Sequence, residues 1–233
     1  MSCADESHHD DHAEHHHPHG GAGHDHDHDS PERGAEFSLW QYINLDHIRA
    51  LNETRPGSAR DVFRPWDERL IEDRFIESDA DEQLLIHIPF TGQVKLKTIA
   101  LRVPLDESAP SELKAYINCD LDFDAAESTV PTQKWDLLAP ADIVAADADT
   151  GSRDGIIEYQ TRITKFNAVR SLTLFFPANY GADTSILQYI GLAGDFTPIN
   201  KDPIITLYEA AANPADHAPV VGLNALQSKN LGL

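Results

Sequence analysis

The tightest constraint on this chain is a two-residue apolar rhythm broken every few residues by glycine or proline. Leu113, Ala115 and Ile117 alternate with Glu112, Lys114 and Tyr116; Leu172, Leu174 and Phe176 alternate with Ser171, Thr173 and Phe175. Val94 and Leu96 alternate with Lys95 and Lys97. Successive side chains on an extended strand point to opposite faces, so each run predicts a strand with one face in the core, and the lysines predict a face in water. Residues 83–88 form a short apolar run expected to stop at Pro89. Beyond Lys97 the apolar phase slips by one residue to Ile99, Leu101 and Val103, which predicts a β-bulge. Ile186, Gln188, Ile190 and Leu192 make a further period-two face expected to end at Gly194, and residues 204–208 read as the last strand.

Turn formers stand between these runs: Thr91-Gly92, Pro104, Pro110, Pro131, Gly151, Pro177, Gly181 and Pro198. Short strands, frequent turns and almost no helical period predict an all-β fold, an antiparallel sandwich or jelly roll. Residues 39–45 read as a first ordered element. Residues 46–53 read as one short helix capped by Asp46, and residues 136–155 as a long acidic loop.

The first 35 residues differ in kind. They hold ten of the thirteen histidines, interleaved with Asp, Glu, Gly and Pro, and no large apolar side chain. Such a segment cannot bury enough surface to offset its chain entropy, so residues 1–35 are expected to be a disordered tail. Residues 36–217 are expected to form the folded domain, and residues 218–233 a polar C-terminal tail. Neutral imidazole binds zinc, nickel and copper. His15, His16, His17, His19, His24, His26 and His28 are therefore candidate ligands for weak metal binding of loose geometry; no tightly held cofactor is expected. The alternatives for the tail are a working metal role or pH sensing, since protonation would add thirteen positive charges to the formal −21.

That net charge repels phosphate backbones and anionic lipid, so neither nucleic acid nor membrane is an expected partner. No run approaches the apolar length of a membrane span. The polar, acidic start has neither the basic nor the apolar part of a secretory signal, so a cytoplasmic and nuclear protein is expected. Cys3 and Cys119 stand far apart with no Cys-x-x-Cys, which excludes a thioredoxin-type centre and a thiolate zinc finger. Walker-type, Gly-x-Ser-x-Gly and His-Glu-x-x-His motifs are absent from the sequence. Asp120, Asp122 and Asp124 have EF-hand spacing, but Ala125 and Pro131 stand where a glycine and a bidentate glutamate belong. Glu77, Asp79 and Asp81 precede a strand, either as a solvated turn or as a cation site. An enzyme is not expected.

Four blocks carry a resemblance. They are Leu51-Asn52-Glu53 with residues 62–69 (VFRPWDER), residues 77–92 (ESDADEQLLIHIPFTG), Tyr180-Gly181-Ala182-Asp183-Thr184 leading to Tyr189-Ile190-Gly191-Leu192, and Tyr208-Glu209-Ala210 with residues 213–217 (NPADH). In this order they resemble the PITH domain. The resemblance implies a jelly-roll sandwich like that of galactose-binding-type domains. It also implies a proteasome link, because the domain is named for proteasome interaction and occurs at the C-terminus of a thioredoxin-like protein. The thioredoxin part is missing from this sequence.

The expected function is thus a monomeric, non-enzymatic protein-interaction module for the 26S proteasome or an associated complex. The alternatives are a small-ligand or carbohydrate-binding sandwich and a metal-handling protein acting through its tail. Phe63, Arg64, Trp66 and Arg69 are candidate partner contacts, since Trp and Arg are enriched at binding hot spots; the competing role is a loop packed over one end of the sandwich. Asn213, Asp216 and His217 are candidates for a docking peptide, or else a frayed end. Residues 180–183 predict a tight turn, with Gly181 at positive φ and Asp183 capping local amides.

Overall fold

The structure is a computed structural model that describes residues 37–150 and 154–199. The chain divides into two units, one ending at Thr197 and one beginning at Pro198, and the sheets lie in the first. The tail histidines, the strand expected over 204–208, and Asn213, Asp216 and His217 fall outside the described residues.

The strands among the described residues are β1 (Arg49–Leu51), β2 (Ile76–Glu77), β3 (Leu84–Arg102), β4 (Glu112–Ile117), β5 (Gln133–Asp136), β6 (Ile156–Gln160), β7 (Val169–Phe176), β8 (Ile186–Leu187) and β9 (Tyr189–Thr197). Helices α1 (Phe123–Ser128) and α2 (Pro140–Thr150) flank β5. The strand pairs among the described residues are antiparallel. Strand β3, 19 residues long, belongs to both layers. Its first half pairs with β1 and β7, and β7 leads on to β4 and β5. Its second half pairs with β9 on one edge and β6 on the other.

The inward residues of both layers form one core. Leu84, Ile86 and Ile88 of β3 meet Leu172, Leu174 and Phe176 of β7 and Leu113 and Ala115 of β4. Across from them stand Val94, Leu96, Ile99 and Leu101, with Ile190 and Leu192 of β9. The period-two runs thus place their apolar faces as expected, and the fold is an antiparallel β-sandwich. The expected bulge is present: Leu96 pairs with Gly194 and Thr98 with Ala193, which leaves Lys97 as the extra residue.

Several boundaries differ from the sequence reading. Pro89 does not end a strand. It opens an irregularity in the pairing of β3 with β7, which returns only at Val94 with Val169, while the chain takes up β9 from Gln93. A proline is tolerated there because the ladder it would interrupt is already broken. Residues 46–53 are not a helix: a 3₁₀ turn over Leu45–His47 gives way to β1, whose pairing with Leu85–His87 overrides the local helical tendency. The acidic segment holds α2, which opens with Pro140 and buries Ile143 in the core. Gly194 does not end a strand, since β9 continues to Thr197. The face starting at Ile186 breaks at Gln188, and Leu187 rather than Ile186 is buried. Phe175, on the outward side of β7, is also buried, because α1 covers it: Phe123 meets it edge-on at 5.9 Å.

At the bulge β3 and β9 come too close for a side chain. A Cβ on Gly194 would lie 2.1 Å from the Lys95 carbonyl oxygen. Gly194→Ala is expected to destabilise the domain by about 1–3 kcal/mol, the usual range for overpacking, in chemical denaturation. Unchanged stability would mean that β9 shifts freely along β3.

Candidate interaction surface

The loop between β1 and β2 carries the four sequence-derived contact candidates, and it folds around Arg64. This side chain is 3% exposed. All five of its N–H donors are used on main-chain carbonyls: Nε to Glu68, Nη1 to Asp61 and Arg74, and Nη2 to Ile71 and Gln188. Burial and the nearby Arg74 lower its pKa, and the Tyr189 ring 5.8 Å away is one of the groups that compensate. Phe63 is 2% exposed and in the core, and its carbonyl accepts from Trp40 Nε1 at 3.1 Å. Phe63 and Arg64 are therefore packing residues, and the exposed-anchor role does not fit either one.

Trp66 and Arg69 form a stack, with the guanidinium carbon 4.5 Å from the Trp66 ring. Arg69 Nη2 donates to Asp154 Oδ2 at 2.7 Å, and Trp66 meets Tyr189 edge-on. Trp66 Nε1 and Arg69 Nε are buried with no acceptor among the described residues, which makes this stack the least saturated part of the loop. Buried between Arg64 and Trp66, the Tyr189 phenol is pushed up to about 12.

A second cluster lies on the outward face of β3 and β7. His87, expected as a strand residue, has its Nδ1 3.0 Å from Thr173 Oγ1 and 3.9 Å from Asp120 Oδ1. Thr173 gives its single proton to the Cys119 carbonyl at 2.6 Å. The neutral imidazole must therefore carry its proton on Nδ1 and donate to Thr173. Hydroxyl and carboxylate both meet the same nitrogen. A catalytic base needs one nitrogen for each, so this trio is not a hydrolytic relay. Asp120 also pairs with Arg49.

The acidic candidates resolve individually. Asp122 caps α1 by accepting from Ala125 N at 2.8 Å. Asp81 accepts from the Asn52 side-chain amide at 2.8 Å and from Gln83 N at 3.0 Å. Glu77 accepts from Thr184 Oγ1 at 3.1 Å. The turn expected at 180–183 is present, with Gly181 at φ 126°. Its capping side chain is Asn179 rather than Asp183: Asn179 Oδ1 accepts from Gly181 N, and Nδ2 donates to the Ala182 and Thr184 carbonyls.

That turn helps build a groove the sequence reading did not find. It has a volume of about 420 Å³ and is lined by Leu105, Asp106 and Glu107 after β3, by Ala139, Pro140, Ala141 and Val144 around the start of α2, and by Tyr180. Its frame is cross-tied. Tyr180 N donates to Ala109 O, Ala182 N to Glu107 O, and the Tyr180 hydroxyl to Leu137 O at 2.5 Å. Leu105 and Val144 are 54% and 51% exposed. Burial raises the Tyr180 pKa, and the negative charges of Asp142 and Asp136 raise it further. The available signal was Leu105, an apolar residue in a polar turn; its partners come from segments far apart in the chain.

Arg64→Met keeps the bulk but strands the carbonyls. A loss on the order of 3 kcal/mol or more is expected in chemical denaturation, and Arg64→Lys should not restore it, since one nitrogen replaces three. Wild-type stability in Arg64→Met would mean that the loop closes without the guanidinium. For His87, burial lowers the folded pKa below the ordinary 6.5, outweighing the pull of Asp120. The unfolded chain therefore binds this proton more readily. The stability is present above 6.5 and is lost as the pH falls through the depressed folded value. His87→Asn should flatten that acid-side decline in denaturation curves taken across the window; an unchanged slope would assign the decline to other groups.

The PITH domain family model matches residues 29–212. PITH domain-containing protein 1 of Homo sapiens is 43% identical over 190 residues, covering 80% of this chain and 83% of the relative. The protein of that name from Dictyostelium discoideum is 36% identical over 185 residues, covering 79% and 86%. Among solved structures, CBM32-3 from a family 31 glycoside hydrolase of Clostridium perfringens aligns with a TM-score of 0.43 at 13% identity, covering 70% of this chain and 98% of that one. With the sandwich and its ordered blocks in place, the chain belongs to the PITH domain family.

Proposed function

We propose that the protein acts by binding rather than by catalysis, as a monomeric interaction module for the 26S proteasome or a complex associated with it, in the cytoplasm and nucleus. The observation that carries this reading is PITH membership over residues 29–212, since the resemblance implies a proteasome link. The structure lends support. The His87 trio lacks the arrangement of a catalytic relay. The groove beside Tyr180 is an exposed apolar feature on a cross-tied frame, and recognition commonly resides in such loops on a rigid scaffold. A saccharide would find little there to bond. The Tyr180 hydroxyl gives its proton to Leu137 O, and Asp106 Oδ1 accepts from Ser108, which leaves carboxylate oxygens of Asp106 and Glu107 as the side-chain polar groups the lining offers. Among the described residues no helix is long and apolar enough to cross a membrane. The His-rich tail is assigned weak zinc, nickel or copper binding as an accessory property.

The test is a pull-down from native lysate with the tagged full chain and with a version beginning at residue 36, read by mass spectrometry. Proteasome regulatory-particle subunits are expected with both. Their absence from both at low salt would overturn the proteasome assignment.

A further inference from the structure

The Tyr180 groove combines two properties. Its walls are carbon, from Leu105, Ala139, Pro140, Ala141, Val144 and the Tyr180 ring. Its charged neighbours are all of one sign. Asp106 and Glu107 line it, Asp142 sits in the first turn of α2, and Asp142 and Asp136 lie close enough to Tyr180 to raise its pKa. Lys134, the cation near Asp136, is held more closely by Glu112, at 2.7 Å against 3.9 Å. No lysine or arginine lines the groove. A lone apolar patch selects no partner, and lone carboxylates serve solubility. Together they favour a ligand with an apolar side chain flanked by cations: the apolar group gains by leaving water, and the flanking charges meet a field of opposite sign.

We propose that this groove docks a partner protein through a short segment in which a branched apolar side chain is flanked by lysines or arginines. The apolar side chain seats between Leu105 and Val144 against the Tyr180 ring. The flanking cations face Glu107 on one side and Asp142 with Asp136 on the other. The frame needs no rearrangement to accept it, because the bonds from Tyr180 to Ala109 and Leu137 and from Ala182 to Glu107 already fix the walls. This proposal rests on the interaction-module reading and names the chemistry of the partner at one site.

The test uses the full chain and a fluorescein-labelled peptide with two leucines flanked on each side by two arginines. Two controls replace the leucines by serines or the arginines by glutamates. Fluorescence anisotropy should show the leucine–arginine peptide binding at least tenfold more tightly than either control. Val144→Arg and Leu105→Arg change exposed side chains and so should leave the fold intact, as circular dichroism would verify; each should weaken binding at least tenfold. Val130→Arg, on an exposed residue outside the groove, should bind like the wild type. Equal binding of the leucine and serine peptides would overturn the proposal, leaving only diffuse charge attraction, and so would unaltered binding by Val144→Arg. Self-association of the full chain in sedimentation that Val144→Arg abolishes would assign the groove to a second copy and also overturn it. Proteasome capture is read in parallel. Capture without groove-dependent peptide binding sinks this proposal and keeps the module. Groove-dependent peptide binding without capture keeps the groove and sinks the proteasome assignment.

Discussion

The hydrogen-bonded ladder of β3 is the constraint on which the rest of the structure depends. One strand supplies the partner edges for β1, β7, β9 and β6, so both layers take their register from it. Its two irregularities are what make this geometrically possible. The break in the β7 pairing between Pro89 and Val94 lets the chain pass from one layer to the other, and the extra residue at Lys97 restores the inward phase in the second. Without the slip, Ile99 and Leu101 would face solvent, since a one-residue change of register exchanges the two faces of a strand.

Much of this was legible in the sequence, and the exceptions share a physical cause. The faces of Leu172–Leu174–Phe176, Leu113–Ala115 and Val94–Leu96 were readable because alternation is a local signal, and the Lys97 bulge was readable as a break in that signal. Helix α2 was hidden because its core contact is one residue, Ile143, within an acidic run. The helix assigned to residues 46–53 failed because the competing interaction, pairing with Leu85–His87, comes from a segment far along the chain. Pro89 looked like a stop because proline cannot donate to a ladder; that the strand changes partners there is a tertiary fact.

The candidate site divides in the same way. Arg64 and Trp66 drew attention through residue type, which speaks equally for a hot spot and for a buried anchor; only burial separates the two. The groove residues had no such mark. Leu105, Val144 and Tyr180 stand on three segments, and their juxtaposition follows from the packing of the β3–β4 connection against the Asn179 turn and α2. The surface charge acts at longer range. With a formal charge of −21, the whole chain biases encounter toward basic surfaces before any contact forms, while an apolar groove acts only after contact.

The Arg64 network has a consequence for how this loop can vary. Its five bonds all end on main-chain oxygens, at Asp61, Glu68, Ile71, Arg74 and Gln188. Every residue type offers a carbonyl, so the guanidinium reads the path of the backbone and is indifferent to what the backbone carries. The loop's shape is thus vested in one position, while most of its surface side chains are free to be exchanged. A segment of this kind can acquire a new surface chemistry without losing its form.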